Sequence, residues 1–591
     1  MNDRTVRGVL FGYLLFLLPL GWFAMRYDRY AIDGDAVSYM DIADLLHAHH
    51  WAGAVNAYWH PLYPALLWAA QVVFQTTRST ELRAYYILNF VLLLVQAAAM
   101  LVFVRALVRL RHQVSPSSAA LFSTPVLQLL GLSLLTLSVM RELSLGKVRT
   151  DSLLQALILI AFAMLMESLA AHRARWRYGA AALMGLSFGL AYLTKSFAFV
   201  LALLSLAALT AFAALAQRRG WLLATTPAAL ALVVFAAVAG PYMAALSLQK
   251  HRLDFGDSGT LNYAWYVSGT EKMHLEPWMT GSFGSAKVSL THPEQQLLAQ
   301  PGIYSYKALP YGTYPAWFDA TFFNERITPK FELHRLVVQD TRNVVLVARY
   351  LLNHPEPLIL LVLLLSAGAT LRRPTLLRSS KFAWPMVGLG LAMWVIYGMV
   401  NVEERYVTVA YFAIVLPLFA ALHSVDRPGL SASVFRTGTA FLVVLFAMLT
   451  LGELLRQDLQ NRRDEITMGQ VPAWRSHAMF GAAEGLGHMG IRPGDEIACV
   501  GTGACLYDNY WARLAGVRVL TELYDPVPDH LVDHLDRLAN REQAYEVIKD
   551  QGARVLVGSF DPGEMNSTHP AAAGWVRLGE TDLYALPLQN R

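Results

Sequence analysis

The chain has 591 residues, of which 55% are hydrophobic and 15% charged, and its mean hydropathy is +0.37. A soluble globular protein carries about 25% charged residues, so these figures exclude an ordinary water-soluble enzyme, a disordered chain and a disulfide-rich secreted scaffold. The net charge of +5 is small for this length and leaves no footprint for nucleic acid.

A spanning helix needs roughly 20 apolar residues. Stretches of that kind predict eleven spans, at 9–25, 84–104, 119–140, 152–171, 179–194, 196–216, 221–246, 351–371, 384–400, 406–424 and 437–455. The first follows Arg4 and Arg7, lacks a small-residue cleavage site and precedes many more spans, so it is expected to remain as a signal anchor. With the N-terminus in the cytoplasm, the short inside loops hold Arg105, Arg109 and Arg111; Arg173, Arg175 and Arg177; Arg218 and Arg219; Arg372, Arg373, Arg378 and Lys381; and Arg427. This is the positive-inside pattern. Residues 26–83, 141–151, the neighbourhood of Lys195, 247–350, 401–405 and everything after about 456 then face outside. The expected fold class is a polytopic α-helical membrane protein, residues 1–455 with outside loops 26–83 and 247–350, followed by an outside α/β domain over 456–591. A bacterial inner membrane suits this layout.

The outside segments collect charge against the span ends. Asp33 and Asp35 follow the first span, Asp151 opens the fourth, Glu403 and Glu404 precede the tenth, and Lys195 and Arg405 stand at the same level. Ionisable groups beside apolar walls are functional candidates; solvated loop ends are the bland alternative. The 247–350 loop is rich in Tyr, Trp, Pro and Gly, as in Gly312-Thr313-Tyr314-Pro315-Ala316-Trp317. Such rings suit sugar faces, lipid chains or an interface belt. Beyond 456, Glu496–Val500, Val517–Leu520 and Ala553–Val557 read as strands, with helices through Tyr510 and Leu514 and over 530–550. That alternation predicts a parallel sheet. Gly501-Thr502-Gly503 lacks the rest of a nucleotide-binding fingerprint. Cys499 and Cys505, the chain's two cysteines, lie on the side where a disulfide is allowed.

The first outside loop reads Ile32-Asp33-Gly34-Asp35-Ala36-Val37-Ser38-Tyr39-Met40-Asp41-Ile42-Ala43 and continues to Asn56-Ala57-Tyr58-Trp59-His60-Pro61-Leu62-Tyr63-Pro64. This resembles the GT-C glycosyltransferases, and within them the branch of aminoarabinose transferases acting on lipid A and of protein O-mannosyltransferases. Asp35 with Tyr39 and Ala43 matches that branch's acidic residue, Tyr and Ala after the first span. His60 with Pro61 matches its basic residue before a Pro, where many relatives carry Lys. Leu193-Thr194-Lys195-Ser196 is similar to its Leu-Thr-Lys-Gly element, and Glu403-Glu404-Arg405-Tyr406 to its late Arg-Tyr element.

The resemblance implies transfer of a sugar from a polyprenyl-phosphate donor to a lipid, glycan or protein acceptor, with membrane lipids around it. The residue types suit that chemistry. An attacking hydroxyl needs a base, and a leaving phosphate needs cations. Asp35 is the expected base; His60, Lys195 and Arg405 are the expected phosphate partners. Direct displacement inverts the anomeric centre, and phosphate leaves without protonation, so one base suffices. Asp33 forms a D-x-D pair with Asp35, either a divalent metal site or a solvated acid; otherwise no cofactor is expected. Asp151 either positions acceptor or base, or N-caps its helix. Glu404 is placed to orient Arg405 or Lys195, and Tyr39 and Tyr406 to support the site. A transporter or flippase for lipid-linked sugars would want charges through the span centres or an internal repeat. A scaffold subunit of an envelope-assembly complex is the other alternative.

Overall fold

A computed structural model describes the chain outside residues 1–2, 28–29, 31, 116–119, 121, 140–144, 269–295, 322–328, 354–379, 423–436, 439, 446, 450, 453–454, 457–458, 461–462, 464–477, 525–539, 566–571 and 589–591. Every predicted span up to residue 246 has its helix: α1 (Asp3–Tyr27), α4 (Glu81–Val114), α5 (Thr124–Ser138), α6 (Asp151–Ala170), α7 (Ala174–Tyr192), α8 (Phe197–Ala211) and α9 (Trp221–Lys250). So do 384–400 and 406–424, as α12 (Trp384–Gly398) and α13 (Glu404–Ala420). The predicted span 351–371 falls almost wholly outside the described residues, and 437–455 in part. By length and composition, five helices among the described residues can cross a membrane: Arg4–Met25, Glu81–Val114, Asp151–Ala170, Phe197–Ala216 and Trp221–Lys250. The chain is a membrane protein.

Between α1 and α4 the chain folds into two short helices, α2 (Gly34–His47) and α3 (Leu62–Phe74). Asp33 N-caps α2, its Oδ1 accepting the Ala36 N–H at 3.0 Å. α10 (Ser258–Tyr266) and α11 (Leu333–Asn353) follow α9. The helices pack closely. Gly390 of α12 stands so near α13 that a Cβ would lie 2.8 Å from the Ala410 carbonyl oxygen. Polar contacts pin neighbours in the apolar interior: Gln96 Nε2 donates to Gln155 Oε1 at 2.6 Å between α4 and α6, and Tyr13 OH to Thr136 Oγ1 at 2.9 Å between α1 and α5.

The C-terminal residues build α14 (Ala478–His488), α15 (Tyr510–Ala515), α16 (Arg541–Asp550) and most of a seven-stranded sheet. Its order is β1 (Gln296–Ala299), β2 (Gly302–Ser305), β4 (Arg518–Tyr524), β3 (Glu496–Val500), β5 (Val555–Ser559), β7 (Leu583–Pro587) and β6 (Val576–Arg577). Only the centre, β4-β3-β5, is parallel. The expected parallel sheet is therefore mixed. A hairpin from the 247–350 loop adds β2 antiparallel to β4, and β7 returns antiparallel to β5. Such edges escape a reading based on strand–helix alternation. Side chains alternate across the strands. Ile497, Cys499, Val519 and Val557 join the apolar cluster of the helices, while Ala498, Val500, Leu523 and Leu556 pack with Tyr545 and Ile548 of α16. Cys499 and Cys505 are disulfide-bonded, closing the turn after β3.

Gly185 brings α7 against α9, where a Cβ would collide with the Ala231 carbonyl oxygen. Gly185→Ala is expected to force the pair apart at roughly 1–3 kcal/mol, the usual range for overpacking. Thermal unfolding of the purified protein in detergent should show a lowered midpoint; an unchanged midpoint would mean that α9 yields without penalty.

Candidate functional site

One cavity of about 410 Å³ opens where the loops at this end of the helices meet, a size typical of small-molecule sites. Its polar wall is built by Asp35, Arg149, Asp151, Lys195, Ser196, Ser258, Asn262, Asn401 and Arg405. Phe197 and Val200 of α8 and Ile396, Tyr397 and Val400 around the end of α12 form an apolar side. The predicted site residues Asp35, Asp151, Lys195, Arg405, Tyr39 and Tyr406 all line it. Asp33, His60 and Glu404 do not.

The cationic side forms around Asp151, whose side chain is 5% exposed. Asp151 is the first residue of α6, and its carboxylate does not cap that helix. Lys195 Nζ meets Oδ1 at 2.5 Å, and Arg405 Nη1 meets Oδ2 at 3.4 Å. Lys195 is carried by the tight connection Leu193–Ser196 between α7 and α8, and Arg405 by the first turn of α13. Leu62 N–H donates to the Leu193 carbonyl at 2.8 Å, tying that connection to the start of α3. Arg405 Nε donates to Glu403 Oε2 at 2.6 Å and Nη2 to Tyr406 OH at 3.2 Å. The carboxylate on Arg405 Nε is thus Glu403, one residue before the Glu404 singled out in the sequence. A guanidinium has five N–H donors and an ammonium three. Among the described residues, each Nη of Arg405 therefore keeps one N–H for a ligand, and Lys195 keeps two. The Lys195 ammonium also stands 4.5 Å from the Tyr406 ring centre, and Tyr397 stacks on Tyr406 at 5.1 Å.

Across the cavity, Asp33 and Asp35 have opposite environments. Burial by itself would raise the Asp33 pKa, but Arg149 Nη2 at 2.7 Å from Oδ2 and the Ala36 N–H hold it below the usual carboxylate value. Each Asp33 oxygen thus already accepts one bond, Oδ1 from the Ala36 N–H and Oδ2 from Arg149. Asp35 accepts one bond, from Trp317 Nε1 at 3.0 Å. Burial raises its pKa and the Asp33 charge raises it further; Arg405 and Arg149 offset this only in part. Tyr39 braces this wall, its ring 5.1 Å from Trp59 and 5.7 Å from Tyr63.

His60 lies behind Gly256, where a Cβ would sit 2.8 Å from its Nε2. It packs between the rings of Tyr192 and Tyr242, at 5.0 and 5.4 Å. Burial lowers its pKa to about 4, so at neutral pH it has no charge to offer a phosphate. The sequence reading gave no individual role to Arg149, Trp317, Asn262 or Glu403. Arg149 had a signal, since it is an arginine in a loop assigned to the arginine-poor face. Trp317 belongs to the aromatic 312–317 stretch, but nothing local pointed it at Asp35. Among the described residues, Cys499, Cys505 and Glu522 form the one group of three possible metal ligands, and its two sulfurs are bonded to each other.

No protein-family model and no curated protein matches the sequence. Among solved structures, the chain is similar to ArnT from Cupriavidus metallidurans, both apo and bound to undecaprenyl phosphate, at 13% identity over 97% of each chain with a TM-score of 0.41. It is also similar to the Archaeoglobus fulgidus oligosaccharyltransferase in its apo form, at 12% identity over 92% of this chain and 69% of that one, with a TM-score of 0.45. Likenesses with TM-scores below 0.5 assign no roles to residues, and the reading of the site rests on its own chemistry.

Replacing Asp33 by Asn keeps the N-cap and removes the charge that raises the Asp35 pKa. It also frees Arg149 to act on Asp35, and both changes favour the ionised form. Carbodiimide modification of Asp35, followed against pH by peptide mass spectrometry, should shift to lower pH in Asp33→Asn. A curve that stays put would mean that the two carboxyls do not interact.

Proposed function

We propose that this cavity is the active site of a GT-C type glycosyltransferase that moves a sugar from a polyprenyl-phosphate donor to an outside acceptor, with inversion. The observation that carries the reading is one carboxylate with a raised pKa, Asp35, sharing a cavity with Lys195 and Arg405, which keep N–H groups to spare beyond their bonds to Asp151, Glu403 and Tyr406. The donor phosphate takes the free N–H groups of Lys195 and Arg405, and Arg405 supplies both Nη groups as a fork. Asp151 keeps the two cations in place before the donor arrives. The first prenyl units lie along Phe197, Val200, Ile396 and Val400, beside helices that meet lipid. The sugar then extends toward Asp35, Asn262 and Ser258.

In the reaction, Asp35 takes the proton of the acceptor hydroxyl. The hydroxyl oxygen bonds to the anomeric carbon. The bond from that carbon to the phosphate oxygen breaks, and its electron pair stays on the phosphate, which Lys195 and Arg405 stabilise. Asp35 suits the base because Trp317 alone hydrogen-bonds it among the described residues, whereas Asp151 is saturated by cations. The acceptor is a lipid, glycan or protein hydroxyl. The arginine-rich short loops support an outside location for the cavity and the 456–591 module. A Glu542→Cys variant, at a side chain 71% exposed, should react with a membrane-impermeant maleimide on intact cells; labelling only after lysis would reverse the orientation.

Asp35→Asn should lower turnover by roughly 10²–10⁴-fold, the worth of general-base catalysis, while donor binding persists. Lys195→Ala and Arg405→Ala remove partners of the phosphate in ground and transition states alike, so donor affinity should fall together with turnover. A panel of polyprenyl-phosphate sugars with purified enzyme provides the assay. Near-wild-type turnover in Asp35→Asn would sink the base assignment.

A further inference from the structure

Among the described residues, a charge cluster with all of its arginine's donors satisfied lies outside the cavity. Arg513 of α15 has a fully buried side chain, 0% exposed. Its Nε and Nη2 hold Glu81 at 2.9 and 2.7 Å, its Nη1 holds Asp41 and Asp44 at 2.8 Å each, and its Nη2 holds Asp44 at 3.0 Å. All five N–H groups are used. Two of the three carboxylates belong to α2, the helix whose first turn carries Asp35. Asp41 also accepts the Thr313 N–H at 2.6 Å and its hydroxyl at 2.9 Å. Four residues further on, Trp317 donates to Asp35. The other end of α2 meets the same module: at Gly34 a Cβ would lie 2.7 Å from Leu506 Cδ1 and 2.8 Å from the Leu506 carbonyl oxygen. Lys195, Arg405 and Asp151 stand on other segments of the helical region, and none of the hydrogen bonds of Arg513 reaches them.

From this juxtaposition we infer that Arg513 is a positioning residue for the transfer reaction, setting where α2 holds Asp35 relative to the phosphate-binding cations. The inference rests on the proposed role of Asp35. It makes the C-terminal module a working part of the active site. A buried ion cluster adds little stability over a packed apolar one but fixes registry, and registry is what a base needs: misplacement by about 1 Å can cost on the order of 100-fold in rate.

The test uses the full-length enzyme. Arg513→Lys keeps the charge but has three donors in place of five, so at least two of the five bonds to Glu81, Asp41 and Asp44 are lost. Thr313→Val removes one hydroxyl bond to Asp41, leaves the backbone bond, and serves as the variant that spares the fold. Both are assayed per folded molecule for kcat, for donor affinity and for the acid limb of the rate–pH profile. The expected result for Arg513→Lys is a kcat lowered by roughly 10-fold to 100-fold, with donor affinity unchanged and the acid limb displaced. Thr313→Val should shift the same readouts in the same direction by less. Wild-type kcat and an unmoved limb in both variants would overturn the inference. So would parallel loss of kcat and donor affinity, or a smaller folded fraction with the limb in place, since either is the mark of a merely structural residue. If Arg513→Lys does not fold, the limb and kcat of Thr313→Val decide alone. Asp35→Asn is measured beside them: activity there refutes the base itself, whereas inactive Asp35→Asn with unaffected Arg513 and Thr313 variants refutes only the positioning.

Discussion

A carboxylate buried at the end of a membrane helix must find cations, and Asp151 finds two. Removing an ion from water costs several kcal/mol even after the protein relaxes, so a nearly buried Asp151 constrains everything around it. Lys195 and Arg405 come from connections far apart in the chain, and their shared partner brings the α7–α8 turn and the start of α13 to one level. The cavity exists because these ends converge. The same pairing keeps two cations side by side without a ligand, a state they would otherwise resist through mutual repulsion.

The second constraint is a division between two acids two residues apart. Asp33 is tied to Arg149 and to the α2 backbone, and stays ionised. Asp35 has an indole as its donor and a raised proton affinity. Neighbouring carboxyls driven apart in this way are the usual means by which a protein separates a structural charge from a reactive one. On the proposed reading, the cationic side of the cavity binds an anion and Asp35 on the other side takes a proton.

The spans were legible because apolar length is a one-dimensional signal, and Asp35, Asp151, Lys195 and Arg405 were legible because charge beside an apolar run is rare. What the sequence hid depends on contacts between distant segments. His60 looks like a cation in a motif, yet burial lowers its pKa to about 4, and only the fold brings that burial about. Arg513 looks like an ordinary helix arginine, and its partner Glu81 lies 432 residues away. The mixed sheet escaped for the same reason, since β2 comes from a loop whose pairing with β4 leaves no local trace. Asp33 shows a milder limit: the residue drew notice as a metal or solvent ligand, whereas the structure uses it as a cap and an ion-pair partner.

The hairpin β1–β2 also bears on how the protein is made. Its partner strand β4 begins more than 200 residues later, as the pairing of Tyr306 with Glu522 across 216 positions illustrates. During synthesis the hairpin therefore waits with an open edge while the intervening helices are inserted, and an unpaired edge invites wrong partners. Asp41 waits as well, since Arg513 is made only just before β4. Most of the helices thus precede β4 in the chain, and a chain cut short between α13 and β4 would carry them without the completed sheet. An incomplete molecule would therefore show an unpaired strand edge and an Asp41 lacking Arg513 on one face.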